Sequence, residues 1–488
     1  LAMPSLLRSF SEEKLAGKFY TPEPLVEEVL EVAGYVPKPK MRVLDPACGD
    51  GQFLAAIVRR ILRELPPDEW YSALESIEGW DIDAEALHQC RQRLDQLVEP
   101  YGLKINWKLI QRDSLTVYSD LWSSRIEPYD FIVGNPPFIR IQHLPDAYKR
   151  FLQERFIFCR HGSTDIYLAF FELGLSLLAP HGKLAFITPN TWLYTQAAKD
   201  FRMYVGRQGW IKKVVDYDDN MRFASVGAYI AITVLTRESN PVWTYERKST
   251  PRITYTLTKG EWLSNLCKPI RGVEVPLGEI AYIGVGITTL ADRIFILKGK
   301  PVEEGLFLLS SGERLPIERA ILRPIIKAST FKGDEGHPKE YIIFPYQLTD
   351  KGYQIIPETQ LRQSYPLAYA YLLRHKPELL QRDAGKPNPE GWYAFGRHQN
   401  LEASFGEKII FPSISHKPRF ILSLLAECSV YAGYFIKYDG DYELLLRQLN
   451  SPRMEEFIRL NSRPFRGGWR AYNKRIVERF PIRLEELR

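Results

Sequence analysis

The sequence lacks most of the features that would place it at once. Across 488 residues no apolar run reaches the ~18 residues that a membrane span requires. The start shows no signal-peptide pattern of an apolar stretch and a small-residue cleavage site. Neither a membrane protein nor a secreted one is expected. The five cysteines (Cys48, Cys90, Cys159, Cys267 and Cys428) are scattered and odd in number. They fit neither a disulfide framework nor a paired-cysteine zinc pattern, so no metal site is expected and a reducing cytoplasm is the simplest compartment. There is no Gly-Lys-Ser/Thr phosphate loop, no GxGxxG, no PD…(D/E)xK nuclease arrangement, no internal repeat and no low-complexity tract. The net charge of +6 is mild and does not by itself identify a polyanionic partner.

What is present is a globular composition, 45% hydrophobic and 25% charged, on a chain long enough for two or three domains. The first half alternates strand-like and helical patterns. Strand-like runs fall at 42–44, 76–80, 106–110, 131–133, 183–187, 211–216 and 229–235, with helical patterns such as 53–65 and 84–98 between them. That alternation predicts a largely parallel sheet covered on both faces. The last two runs leave no room for a crossover helix, which predicts an antiparallel final pair. Residues 241–268 read as strand pieces and a connector. Beyond Arg271 the alternation stops, and aromatic residues, short strands and dispersed Arg and Lys take over. The domain boundary is expected near 265–270.

Four motifs carry chemistry. Asp45-Pro46-Ala47-Cys48-Gly49-Asp50-Gly51 ends a strand in a carboxylate and a glycine-bearing turn, where a ligand can approach the backbone closely. A carboxylate there repels a pyrophosphate and suits a cationic ammonium; an ordinary strand-to-helix connection is the plain alternative. Gly79-Trp80-Asp81-Ile82-Asp83 ends the next strand. Asp83 is expected to cap the helix starting at Ala84, which leaves Asp81 to accept hydrogen bonds from ribose hydroxyls. Asp113, at a third strand end, can accept a hydrogen bond from an adenine amino group or simply be solvated. The fourth motif, Asn135-Pro136-Pro137-Phe138, follows a strand directly. Its two prolines remove two backbone donors and set two φ angles. The resulting elbow holds the Asn135 side-chain carbonyl and the Pro136 backbone carbonyl as convergent acceptors. A planar amino group bound to both is drawn toward tetrahedral geometry, and Phe138 offers a flat face for a base.

With these motifs in this order, the sequence resembles the S-adenosylmethionine-dependent amino-methyltransferases. It is most similar to the gamma-class adenine-N6 DNA methyltransferases of restriction–modification systems, the TaqI-like family. Lys18-Phe19-Tyr20-Thr21-Pro22 is similar to the N-terminal cofactor-contact motif of that family, in which Thr21 would cap a helix with Pro22 at its first position. The resemblance implies cofactor contacts from Tyr20, Thr21, Asp45, Ala47, Cys48, Gly49, Gly51, Asp81, Ile82, Asp113 and Asn135. It implies a catalytic group of Asn135, Pro136, Pro137 and Phe138. Residues 222–229 resemble the motif in which an aromatic side chain meets the target base, which nominates Phe223, with Tyr229 close by. The implied fold is α/β: a Rossmann-like methyltransferase domain with a mixed seven-stranded sheet over 1–267, and a C-terminal α+β DNA-recognition domain over 268–488. Residues 284–289 and 392–397 look like segments of that recognition region. Two departures stand out. Phe138 replaces the Tyr of many relatives, and stacking needs no hydroxyl. Ser114 stands where some relatives place an aromatic against the cofactor adenine, a place Leu115 would take.

The activity implied is transfer of a methyl group from S-adenosylmethionine to the amino group of a flipped-out adenine in double-stranded DNA. Transfer is direct, with no covalent enzyme intermediate and no metal, and Cys48 is expected to pack rather than attack. Basic and polar clusters at His398-Gln399-Asn400, Lys417-Pro418-Arg419-Phe420 and 463–475, the last interleaved with Phe465, Trp469 and Tyr472, are expected to meet phosphates and base edges. The two domains are expected to form a basic cleft with the elbow at its floor. The implied setting is a cytoplasmic, nucleoid-associated monomer. A cognate restriction endonuclease would act on the same site without a stable complex. No endonuclease is expected to be fused, because the nuclease motif is missing and the chain starts at the cofactor motif. The rivals are an RNA amino-methyltransferase, a protein-glutamine methyltransferase using the same tetrapeptide, and an inactive domain kept as a DNA-binding subunit. The large C-terminal half weighs against the second and the intact motifs against the third.

Overall fold

The structure, a computed structural model, describes residues 21–120, 126–160, 162, 164–218, 229–248, 252–333, 339–397, 401–465 and 467–487. It divides into two compact units, Leu1–Asn265 and Leu266–Arg488. No described helix is long and apolar enough to cross a membrane.

The first unit is built on one sheet. Its strands are β1 (Val43–Asp45), β2 (Ile77–Asp81), β3 (Lys108–Gln111), β4 (Tyr129–Gly134), β5 (Leu178–Pro189), β6 (Ile211–Asp216), β7 (Ile230–Thr236), β8 (Val242–Arg247) and β9 (Ile253–Thr258). They lie in the order β3-β2-β1-β4-β5-β7-β6-β8-β9. Strands β1 to β5 run parallel, while β7 is antiparallel to both β5 and β6. The expected seven strands are therefore joined by two more, and the sheet has nine. The additional pair looks like mere strand pieces in the sequence because β9 alternates, with Thr254 and Thr256 outward, and shows no continuous apolar run.

Helices cover both faces. On one side α1 (Glu23–Ala33), α2 (Gln52–Glu64) and α3 (Ala84–Val98) bury Val29, Leu30, Ile57, Val58 and Leu94 against Phe131 and Val133 of β4 and Ile232 and Val234 of β7. The period of two along β4 sends Phe131 and Val133 to this face. Two further helices follow the fourth motif, α4 (Asp146–Arg155) and α5 (Tyr167–Leu177). Helix α5 is apolar on nearly every side and almost wholly buried, as a central helix must be. Its Phe171 meets Phe186 of β5 at 5.3 Å and Phe201 of α6 (Lys199–Gln208) at 4.7 Å between ring centres.

Local signals explain the ends of these helices. Gly34, at φ 61°, stops α1. Asp83 accepts from the backbone N–H groups of Glu85 and Ala86 and starts α3, as expected. The start of α1 differs from expectation: Pro22 is the capping residue and Thr21 makes no cap. A hydroxyl left out of capping is free for another partner, described below.

The second unit has no dominant sheet. A four-stranded antiparallel sheet runs Ala281–Val285, Gly433–Tyr438, Lys408–Pro412, Ile421–Ser423. A six-stranded one is antiparallel except where Leu322–Lys327 meets Ser429–Tyr431. Helices such as Tyr442–Leu449 and Pro452–Asn461 pack on the four-stranded sheet through Leu445, Leu449, Met454 and Phe457. This is an α+β arrangement. The chain's formal charge excess of +6 resides in this unit, and the first unit is close to neutral.

Candidate active site

Parallel strands share one carboxyl-terminal edge, and ligands bind in the crevice outside it, where strand order reverses. Here the reversal lies between β1 and β4, so Asp45 and Gly134 face each other across it. They are tightly apposed: a Cβ on Gly134 would lie 2.6 Å from Asp45 Oδ1. Only glycine fits.

Asp45 is buried and accepts from the Ala47 backbone N–H at 3.1 Å. Burial pushes its carboxyl up to about 8, the Ala47 hydrogen bond opposes this, and the nearby Asp81 charge adds to it. Asp81 is also raised, first by burial, although the N–H groups of Gly49 and Asp83 donate to it at 2.8 and 2.9 Å. Two desolvated carboxylates at the ends of adjacent strands form a site that favours a cation. The turn between them is open to a ligand, since a Cβ on Gly49 would meet nothing within 4 Å. Gly51 is closed in, with φ 86° and a would-be Cβ only 2.5 Å from Cys90 Sγ. Asp50 anchors the turn to α3 through Arg93 at 2.5 Å. Cys48 and Cys90 are buried, and their mutual hydrogen bond together with burial pushes the Cys48 thiol up, away from reactivity. Ala47 lies half-buried on the turn, and Ile82 is 42% exposed on its rim.

Asp113 starts the 3-10 turn Ser114–Thr116, accepting from Leu115 N–H at 3.0 Å and from the Tyr148 hydroxyl at 2.8 Å. Burial raises its carboxyl, and these two bonds oppose the rise. Ser114 donates to the Pro46 carbonyl at 2.5 Å and ties this corner to the Asp45 turn. Leu115 is 0% exposed and belongs to the core. It does not take the adenine-facing place expected of it, because its side chain is committed to packing.

At the end of β4, Asn135 donates from Nδ2 to the Thr21 hydroxyl at 3.1 Å. Its Oδ1 is buried without a hydrogen-bond partner among the described residues. Pro136 is buried, while Pro137 and Phe138 are half-exposed. The Phe138 ring stands edge-on to Tyr167, 6.4 Å between centres. The segment after the elbow is pinned by Ile141 N–H to Thr164 O and Ile166 N–H to Ile139 O. At the neighbouring strand ends Asp216, fully buried, accepts from Asn190 at 2.8 Å, Tyr194 at 2.8 Å and Tyr245 at 2.7 Å. Tyr20, Phe223 and the His398-Gln399-Asn400 cluster lie outside the described residues.

In the second unit, the segments 284–289 and 392–397 are adjacent. Arg397 N–H donates to Thr288 O, and Arg382 donates to Thr289 O, Ala394 O and Trp392 O. Arg382 carries no local signal in the sequence. The basic clusters are sorted by burial. Phe420, Tyr472 and Arg470 are core residues, and Arg470 donates to Ser462 O. Arg419 is tied to the carbonyls of Ser329 and Phe331. Phe420, Tyr472 and Arg470 are buried and do not form the expected DNA-facing surface, while Arg419 is half-buried with its guanidinium on backbone carbonyls. Trp469 is 42% exposed and packs against His416 with the rings tilted, 4.0 Å between centres, and Arg463 lies 4.5 Å over Phe465.

Residues 71–223 match the family of Eco57I restriction-modification methylases. Among curated relatives, the Type II methyltransferase M.PaeR7I of Pseudomonas aeruginosa is 25% identical over 96% of this chain and 85% of its own. M.BstVI of Geobacillus stearothermophilus is 24% identical over 88% of this chain and 80% of its own. A solved type IIL restriction-modification enzyme, MmeI in complex with DNA, superposes with a TM-score of 0.59 over 98% of this chain and 67% of its own. At 12% identity that likeness is one of fold. The strand order, the motifs along one sheet edge and these matches agree: residues 71–223 are similar to the Eco57I restriction-modification methylases, and most of the chain is similar to Type II methyltransferases.

Proposed function

We propose that this protein is a site-specific DNA adenine-N6 methyltransferase that acts on an adenine flipped out of the duplex. One observation carries the reading. Asn135 Oδ1 is a buried acceptor with no donor among the described residues. A buried polar atom left unpaired costs about 1–3 kcal/mol, a cost that an incoming amino group removes. Thr21 holds the other end of the same amide, which keeps the carbonyl aimed at the substrate.

S-adenosylmethionine is the methyl donor of this family, and when bound it supplies an electrophilic methyl group on a cationic sulfonium. The residues present fit it. Asp45 favours its positive charge, Asp81 accepts from its ribose hydroxyls and adds negative charge nearby, the open face of Gly49 admits it, and Asp113 and Ile82 suit its adenine. Asn135 Oδ1 and the Pro136 carbonyl accept from the target amino group and localise its lone pair toward the methyl. Phe138 carries the base. Catalysis is positioning together with electrostatic complementarity to charge growing on nitrogen. Extruding the base costs a few kcal/mol, and the second unit, where the chain's positive excess lies, is assigned the DNA contacts that offset this. MmeI, solved with DNA, supports duplex DNA as the partner.

The test is transfer of label from the cofactor to duplex DNA, RNA and protein offered separately, with mass spectrometry of the modified nucleoside. N6-methyladenine in duplex DNA is expected. Label in N4-methylcytosine, or in RNA or protein alone, overturns the proposal.

A further inference from the structure

We propose that Tyr148 is a positioning residue for the cofactor's adenine, holding the Asp113 carboxylate in register with the adenine amino group. The inference rests on the reading of Asp113 as the adenine contact and adds to it a residue from a different part of the chain.

Asp113 lies just past the end of β3, at the sheet edge shared with Asp45 and Asp81. A carboxylate in a loop ordinarily turns freely. This one does not: one oxygen accepts from Leu115 N–H at 3.0 Å, and the other from the Tyr148 hydroxyl at 2.8 Å. Each carboxylate oxygen can accept twice, so the two bonds fix the plane of the group and leave acceptor sites over. Tyr148 is 4% exposed, and its ring packs on Phe151 at 5.7 Å. Burial and the adjacent Asp113 charge hold its phenol protonated, so it remains a donor throughout the physiological range. The neighbouring residue is fixed as well, since Ser114 donates to the Pro46 carbonyl.

The position of Tyr148 matters. It sits on α4, in the segment that follows the Asn-Pro-Pro-Phe elbow, 35 residues beyond Asp113. Its hydroxyl therefore links the adenine end of the cofactor crevice to the chain that leaves the catalytic elbow. A phenol that served packing alone would not need to place its hydroxyl on a carboxylate that already has a backbone donor. An oriented Asp113 oxygen, with acceptor sites left over beside the Tyr148 and Leu115 donors, accepts from the 6-amino group of adenine and is repelled by the 6-oxo group of hypoxanthine. The hydroxyl of Tyr148 should therefore set base discrimination.

The experiment measures equilibrium binding of S-adenosylhomocysteine and S-inosylhomocysteine to the full chain. Wild type should prefer the adenine compound. Tyr148→Phe, which keeps the ring, should weaken binding of the adenine compound roughly five- to tenfold, the size of the net contribution of one ordinary hydrogen bond, because Tyr148 acts on adenine only through Asp113. Binding of the hypoxanthine compound should change little, so the preference narrows. In an Asp113→Ala background the same substitution should have no further effect on either ligand. A purely structural role would weaken both ligands equally and persist without Asp113. A wild type that discriminates, with a Tyr148→Phe variant that discriminates just as well, overturns the inference alone. A wild type indifferent to the base overturns the assignment of Asp113, and the inference falls with it.

Discussion

In the first unit the chemistry-bearing residues occupy 45–51, 81–83, 113 and 135–138, each at or just past the end of a parallel strand, with Asp45 and Asp50 buried and Asp81, Asp113 and Asn135 half-buried. In the second unit the exposed aromatic and basic side chains, His416, Phe465, Trp469 and Arg463, sit on and around strands of two or three residues. The difference follows from the ligands. A small cofactor and one extruded base need a few groups held rigidly in a desolvated crevice. A long polyanion needs positive charge spread over a surface, and no single contact dominates. The near-neutral first unit and the positive second unit express that division in charge.

The strongest test of this contrast is Asn135→Ala. It removes the acceptor at the elbow that is buried and has no partner among the described residues. Loss of a preorganised electrostatic partner in an active site lowers kcat by about 10²–10³, and a loss of at least that size is expected in single-turnover transfer. Cofactor affinity should stay within about threefold, because the cation site on Asp45 and Asp81 is intact. Equal loss of cofactor binding would place Asn135 in the cofactor crevice rather than on the substrate.

A pair of glycine variants comes next. Gly134→Ala would place a methyl 2.6 Å from Asp45 Oδ1, and overpacking of this kind costs about 1–3 kcal/mol. Gly49→Ala meets open space but holds φ at 54°, for a cost nearer 1–2 kcal/mol. Thermal denaturation should rank Gly134→Ala below Gly49→Ala. The order should reverse on adding cofactor if the open face of Gly49 receives it, since the new methyl then occupies ligand space. An unchanged order with cofactor present removes Gly49 from the binding surface.

The same contrast explains what is legible in the sequence. Strands β1 to β7 and helices α2 and α3 can be read because apolar period and turn chemistry agree at each end, as with Asp83 before α3 and Gly51 before α2. The edge pair β8 and β9 cannot, since short alternating strands resemble a connector. Thr21 misleads because a Thr-Pro pair signals a helix start whether or not the hydroxyl is used there. Its bond to Asn135 spans 114 residues, and no local pattern encodes such a pairing. Tyr148 and Arg382 are invisible for the same reason. In the second unit, Phe420 and Tyr472 group with Trp469 in the sequence as aromatics among cations. Phe420 and Tyr472 lie just outside the short strands Ile421–Ser423 and Trp469–Ala471, where no alternation marks the inward side.

The surface of the second unit offers a graded test. In Lys417→Ala combined with Arg463→Ala, duplex DNA binding should weaken roughly tenfold at moderate salt. The slope of log affinity against log salt should become shallower by about 0.9 for each phosphate no longer neutralised. Cofactor affinity, measured by calorimetry, should not move. A weakened affinity with an unchanged salt slope would mean that these cations act through the fold rather than on phosphate.

The smallest effect expected is a fraction of a proton, and it reports on the first unit alone. Burial and the Asp81 charge push the Asp45 carboxyl up to about 8 from an ordinary 3.8. In the ligand-free protein Asp45 therefore keeps its proton across neutral pH. The stability this contributes is fully present below about pH 4 and is lost as pH rises through about 8, because the folded state binds the proton more tightly than the unfolded state. A bound cation favours the carboxylate and draws its value down. Cofactor binding at pH 7 should then release close to one proton, and affinity should rise with pH until it levels off above about 8. Calorimetric titrations at pH 7 in buffers of different ionisation enthalpy should show heats that scale with the buffer, and the dependence should fade at pH 9. Asp45→Asn should abolish the dependence at pH 7 while Arg463→Ala leaves it intact. Buffer-independent heats at pH 7 would mean that the cofactor's charge is met elsewhere than at Asp45.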